Sequence, residues 1–264
     1  MKRRQFLMSS LATSSLAIAG RGLAQPAAAG AREFYLIRRY GLVNGPQTKL
    51  TESYFSDALI PALTRMGLGP IGAFSLAYGP ETPAYVALIP GSSADVLAQL
   101  DLRLAQDAEF MKAAEPFWSA PANAPAFQRV ESSLLIAFEG WPKLTPPPSS
   151  ATKAKRIFQL RTYESPSIAA HVRKVEMFNS GEFEIFKTAG FHPVFFGDAL
   201  VDTRMPKLTY MLSLDGVDQL DAKWAAFSSN PDWKKLSSSP RYAYEPIVSS
   251  ITNLILTPLG ASQL

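Results

Sequence analysis

The chain has no cysteine and two histidines among its 264 residues. Thiolate nucleophiles, disulfides, zinc-thiolate and iron-sulfur sites are therefore excluded together. His171 and His192 stand 21 positions apart with no HxxxH or HExxH spacing, so neither a metal nor a cofactor is expected. The pattern best suited to chemistry lies on one predicted helix. There Ile168, Val172, Val175, Phe178, Phe186 and Ala189 recur at three- and four-residue spacing as an apolar stripe. At about 100° per residue, Asn179 and Glu182 fall inside that stripe and His171 lies on its edge. A carboxylate turned inward is costly unless it is paired or lines a wet cavity. Desolvation would also raise its pKa toward that of a useful general base. One reading is a small pocket in the second half of the chain, with Glu182 as base, Asn179 orienting a ligand and His171 or His192 nearby. The other pairs Glu182 structurally with an arginine, for which Arg161 is the candidate.

Arg161 and Tyr163 are two apart on a predicted strand and share a face, as do Arg38 and Tyr40. A guanidinium fork suits a ligand carboxylate. Because the pattern occurs twice, sheet-surface or interdomain salt bridges are the preferred role. Gly67-Leu68-Gly69-Pro70-Ile71-Gly72 has the letters of GxGxxG but follows a predicted helix and precedes a strand, the reverse of a dinucleotide site. No GxSxG elbow or P-loop occurs, so acyl transfer and nucleotide hydrolysis lack their parts.

The elements that must position these residues are duplicated. A shift of 123 lays Ile37-Arg38-Arg39-Tyr40 on Leu160-Arg161-Thr162-Tyr163, Gly67 on Gly190 and Pro83 on Pro206. Near the end the shift is read as 117, placing Ser132-Ser133-Leu134 on Ser249-Ser250-Ile251. Each copy reads βαββαβ: strand 34–40, helix 47–66, strands 71–78 and 85–89, a helical region 93–118 and strand 128–138. The second copy has strand 157–163, helix 168–189, strands 194–200 and 208–212, a helical region 217–236 and strand 248–256. A βαββαβ unit is the ferredoxin-like split fold, a four-stranded antiparallel sheet with both helices on one face. Two copies can cover each other's bare faces. The expected fold is thus α+β, two tandem ferredoxin-like repeats packed sheet to sheet as an internal dimeric α+β barrel. The repeats span 32–140 and 157–258. Residues 141–156, containing Pro146-Pro147-Pro148, are read as a semi-rigid spacer. Further homo-oligomerisation is permitted but not required.

The formal net charge of +4 sits at the start of the chain. Lys2, Arg3, Arg4 and Arg21 lie within residues 1–24 with no acid, leaving 22 Lys and Arg against 22 Asp and Glu. That balance offers no surplus of bases for nucleic acid. Lys2-Arg3-Arg4-Gln5-Phe6-Leu7, a short Ser/Ala-rich apolar run and Gly22-Leu23-Ala24 read as a twin-arginine signal peptide, 1–24, cleaved after Ala24. The expected location is periplasmic or secreted, with no membrane anchor after cleavage.

Several motifs in register, Leu160-Arg161-Thr162-Tyr163, Phe178-Asn179-Ser180-Gly181-Glu182, Val194-Phe195-Phe196-Gly197-Asp198 and Arg204-Met205-Pro206-Lys207-Leu208-Thr209-Tyr210-Met211, resemble the NIPSNAP family in an exported bacterial form. The resemblance implies the dimeric α+β barrel fold. Its wider superfamily includes cofactor-free monooxygenases, isomerases and haem enzymes, while animal members look like mitochondrial interaction proteins. It brings no agreed catalytic residues. The functional expectation is binding of a small organic molecule in the second repeat, with cofactor-independent acid/base chemistry at Glu182. Arg161, Tyr163, Asn179, His171 and His192 are its candidate ligand contacts. The alternative is a non-catalytic interaction or assembly protein. A ligand site requires a hydrated cavity where Glu182 and Asn179 converge; an interaction protein requires a solid core and an exposed apolar patch.

Overall fold

Alternation along the first strand decides where everything else goes. In β1 (Phe34–Gly41), Tyr35 and Ile37 face one way and Leu36 and Tyr40 the other, and both sets are buried. A strand with two apolar faces must be covered twice. In the computed structural model, which describes residues 31–264, helices cover one face and the second repeat's sheet covers the other. The predicted signal peptide lies outside the described residues.

After β1 comes a helical segment in three parts: α1 (Pro46–Ser53), a π turn (Tyr54–Leu59) and α2 (Ile60–Arg65). β2 (Gly72–Tyr78) and β3 (Ala84–Gly91) follow, then α3 (Ala94–Ala98), α4 (Leu100–Leu104), α5 (Ala108–Trp118) and β4 (Arg129–Ala137). Asp107 caps α5, accepting from the Phe110 amide at 2.9 Å. The stretch read as a spacer carries a one-turn helix, α6 (Pro148–Thr152), with Pro148 at its first position, where a missing N–H costs nothing. The spacer is also anchored: Leu144 packs into the barrel and the Thr145 amide donates to Val194 O at 2.8 Å. The second repeat supplies β5 (Ile157–Glu164), α7 (Ile168–Met177), a π turn (Phe178–Glu182), α8 (Phe183–Thr188), β6 (His192–Val201) and β7 (Lys207–Leu214). It ends with α9 (Leu220–Ser229), α10 (Pro231–Ser237), α11 (Tyr244–Ile247) and β8 (Ser250–Pro258).

The strands close into one antiparallel barrel in the order β1-β3-β2-β8-β5-β7-β6-β4. Each repeat contributes four neighbouring strands in ferredoxin-like order, and β2–β8 and β4–β6 are the seams. Register corrects the end of the duplication. Leu135 pairs with Tyr35 and Leu256 with Phe158, so the last strands are offset by 121, not 117. The interior holds Tyr35, Phe74, Phe158, Phe195 and Met211, with Tyr35 on Phe195 and Phe74 on Phe158 at 4.9 Å between ring centres. Among the described residues no helix is long and apolar enough to cross a membrane.

Candidate functional site

The two π turns occupy the same place in the two repeats. A π turn inserts one residue into a helix, which rotates everything before it by about 100° relative to everything after. The buried face of α7 is accordingly Ala170, His171, Lys174 and Met177. Ile168 and Val172, read as part of the apolar stripe, are 70% and 56% exposed. Phe178, Glu182, Phe186 and Ala189 are buried as the pattern predicts, because they lie within or beyond the insertion.

Glu182 is 1% exposed, and Lys174 Nζ lies 2.7 Å from its Oε2 with no exposure at all. The partner is therefore this lysine rather than Arg161. The ammonium also lies over the Phe178 ring at 4.4 Å and near the Tyr163 ring at 5.4 Å. Burial pushes the Glu182 carboxyl up and the Lys174 ammonium down, each opposed by the other. Arg161 donates from Nη2 to Tyr163 Oη at 3.1 Å and stacks on Trp224 at 4.1 Å. Tyr163 and Tyr210 share a hydroxyl bond of 2.8 Å, and burial raises the Tyr163 pKa. These side chains fill the space between helix and sheet where a hydrated cavity was expected.

The remaining candidates go elsewhere. Asn179 is exposed and bridges segments, donating to Val175 O at 2.9 Å and accepting the Gly140 amide at 2.8 Å. A side chain at Gly140 would strike that same oxygen and Phe183. His171 Nε2 lies 2.6 Å from Asp198 Oδ1. His192 is exposed at the head of β6, beside Pro146, Pro147 and Trp141. It stands six strand positions from Asp198, roughly 20 Å, so the histidines are not brought together. Among the described residues no group of three or more His, Asp or Glu gathers closely enough to hold a metal.

An open site does exist at the matching place in the first repeat. Between the outer face of β1 and β4 and helix α5 lies a cleft of about 530 Å³, lined by Arg38, Tyr40, Tyr54, Asp101, Trp118 and Phe127 among others. Arg38 Nη1 donates to Asp101 Oδ1 at 2.7 Å at the entrance. This pair lies within one repeat, not between repeats or on bare sheet as its duplication suggested. Tyr54 stacks on Phe117 at 4.0 Å, nearly parallel, and Trp118 Nε1 donates to Tyr54 Oη at 3.2 Å. Burial raises the pKa of both Tyr40 and Tyr54, so both are phenols that donate rather than bases. The chemistry on offer is an aromatic slot with a guanidinium at its mouth. Asp101 was missed because it sits 63 residues from Arg38 on a short helix, with no local signal linking them.

No protein-family model matches the chain, and no curated protein is significantly similar to it. Solved structures are similar in fold. A putative monooxygenase from Lactobacillus acidophilus NCFM is 9% identical, covers 86% of this chain and 94% of its own, and gives a TM-score of 0.54. A putative monooxygenase from Fusobacterium nucleatum is 10% identical over 87% of this chain and 94% of its own, with a TM-score of 0.52. An uncharacterized NIPSNAP-like domain protein from Burkholderia xenovorans matches 40% of this chain and 86% of its own at 13% identity and a TM-score of 0.35. The chain shares its fold with proteins described as putative monooxygenases.

Proposed function

We propose that the protein binds a small aromatic molecule carrying an anionic or accepting group in the cleft of the first repeat. The observation that carries this reading is the pairing of an aromatic slot, Tyr54 on Phe117 with Trp118 beside it, with the Arg38 guanidinium. Rings supply stacking surface and the fork supplies a directional donor pair. At 530 Å³ the cleft falls within the range of small-molecule sites. The monooxygenase description of the fold relatives is compatible with an organic ligand. Neither buried phenol is a base, so binding or transport accounts for the cleft without proton transfer. Glu182, sealed against Lys174, is assigned the structural role. The reading includes export, supported by the twin-arginine motif at Arg3-Arg4.

Calorimetric titration with 2-naphthoate tests it. Saturable one-to-one binding is expected, weakened at least about tenfold by Arg38→Leu and by Trp118→Ala. Absence of binding, or binding indifferent to both substitutions, overturns the reading. A second reading concerns the second repeat alone: the exposed Ile168 and Val172 on α7, over a solid core, favour a non-catalytic interaction face there.

A further inference from the structure

The barrel itself has a mouth, which shares Val130 and Ser132 of β4 with the cleft just described but none of its rings. Register stacks its walls in layers. In the upper layer Arg39 of β1 sits between Val86 and Glu131. Opposite, Thr162 of β5 sits between Thr209 and Thr252. One layer down, Ile37, Leu160 and Leu254 form an aliphatic floor, and aromatic rings fill the barrel beneath. The resulting cup measures about 670 Å³.

Arg39 and Thr162 are duplicates, as are Val86 and Thr209, so one design has diverged into a charged wall and a hydroxyl wall. Thr162 and Thr209 hydroxyls bond at 2.9 Å. On the facing wall Arg39 Nη1 donates to Glu81 at 2.9 Å and Glu131 at 3.2 Å, while its Nε is buried without a partner. The rim balances Arg39, Arg204 and Lys207 against Glu81, Glu131 and Asp202. Two of these, Glu81 and Arg204, are duplicates by the 123 shift, and both hold left-handed backbone, φ 59° and 54°. Side chains other than Gly, Asn and Asp rarely take that conformation, and such outliers concentrate at ligand sites. Here it is kept twice, at the two hairpins that overhang the cup.

We propose that this cup is a second ligand site, taking a small, overall neutral amphiphile with a branched aliphatic body and a dipolar head, the chemistry of an aliphatic α-amino acid such as leucine. The floor offers aliphatic contact and no ring, which selects the body. The balanced rim gives no net field for a cation or an anion. Head-group selection follows from the layer above the floor: the Arg39 charge and the donating threonine hydroxyls suit a carboxylate, while Glu131 and the same hydroxyls, as acceptors, suit an ammonium. A ligand bearing both an ammonium and a carboxylate satisfies both sets. A simple acid or amine leaves one of them unmatched.

Calorimetry on the intact protein, with L-leucine, 4-methylpentanoate, isopentylamine and glycine as probes, tests the site. Leucine is expected to bind saturably one to one, at least about tenfold more tightly than each of the other three. Thr162→Val, isosteric but lacking the hydroxyl, is expected to weaken leucine about tenfold. Thr252→Val reads the same wall if the first variant does not fold. Leucine and 2-naphthoate are expected to bind without competing, so either site can fail while the other stands. No leucine binding, binding insensitive to the threonine variants, equal binding of 4-methylpentanoate, or displacement by 2-naphthoate overturns the proposal.

Discussion

Arg38 and Arg161 occupy the same place in two copies of one design, beside Tyr40 and Tyr163, and they live in opposite surroundings. Next to Arg38 across the ladder stands Ala87; next to Arg161 stands Tyr210. The helix above offers Thr51 and Leu59 in the first copy and Lys174 and Glu182 in the second. Asp101, the ion partner of Arg38, is replaced by Trp224, on which Arg161 stacks. In the first repeat Arg38 borders an open cleft with Asp101 beside it. In the second the Trp224 ring covers the matching arginine, and a phenol, a lysine and a carboxylate pack beneath it. The difference teaches that a duplicated barrel can divide its labour, one sheet face kept open for a ligand and the other made solid.

The Lys174–Glu182 pair offers the largest way to break that comparison. Glu182→Leu, which installs the first repeat's residue, strands a buried ammonium and is expected to cost about 3–5 kcal/mol in denaturant melts. Lys174→Thr with Glu182→Leu should return to within about 2 kcal/mol of the parent, because a buried pair gains little over apolar packing. The pH dependence follows from the directions of the two shifts. Glu182 folded holds its proton above the ordinary 4.5. Its contribution is therefore full below that pH and is lost as pH rises through its raised value. Lys174 folded loses its proton below the ordinary 10.5, so stability is gained as pH rises through that lowered range. Relative to the double variant, the parent should be weakest between the two windows and recover at both ends. A flat difference across pH would mean that folding shifts neither group and the pair keeps its ordinary ionisation inside the fold, and a double variant as poor as the single would mean the residues do more than neutralise each other.

Tyr210→Ala sharpens the same contrast from the sheet side. Deleting the phenol opens a cavity and leaves the Tyr163 hydroxyl without this partner, at an expected cost of about 3 kcal/mol. If volume alone separates the two faces, the variant should acquire weak 2-naphthoate binding in the second repeat. Binding that stays at one site per chain would show that Asp101 or the aromatic slot, not space, makes the first cleft.

Much of this architecture was readable from the residues. The strands alternate, the helices are amphipathic, and each pattern occurs twice, so two ferredoxin-like halves closing on one another followed from burial requirements alone. What could not be read was local geometry that changes phase. The π turn after Met177 adds a residue that a 3.6-residue period does not anticipate, which moved Lys174 from the flank into the core and put Ile168 and Val172 into solvent. Glu182 was recognised as inward-facing because it lies in the insertion itself, but its partner lay on the wrong side of the phase change. The first repeat's cleft was hidden for a different reason: Asp101 stands there in place of the Trp224 ring that stacks on Arg161, and a missing ring leaves no motif.

The smallest effect concerns how α7 is held from outside. Glu176 accepts Arg241 Nε at 2.6 Å and Tyr242 Oη at 2.6 Å, tying the helix to the segment before α11. These donors pull the Glu176 carboxyl down to about 2. A depressed carboxylate contributes stability that is present above its ordinary 4.5 and lost as pH falls through the folded value. The loss should therefore appear between roughly pH 4.5 and 2 and be absent in Glu176→Gln, so that the parent's advantage near neutrality, small because the pair is solvated and screened, vanishes in acid. The first repeat has Ser53 at the matching position, so it contributes no such acid limb through this residue. Acid titration of unfolding in parent and variant, run at low and at high salt, decides it. Convergence of the two curves at high salt would fit a clamp made of solvated charge. A gap that persists would mean that Tyr242, packed beneath Met177 in the same cluster, holds α7 by burial, and that the second repeat owes its solidity to packing on its outer side as well as to the filled space within.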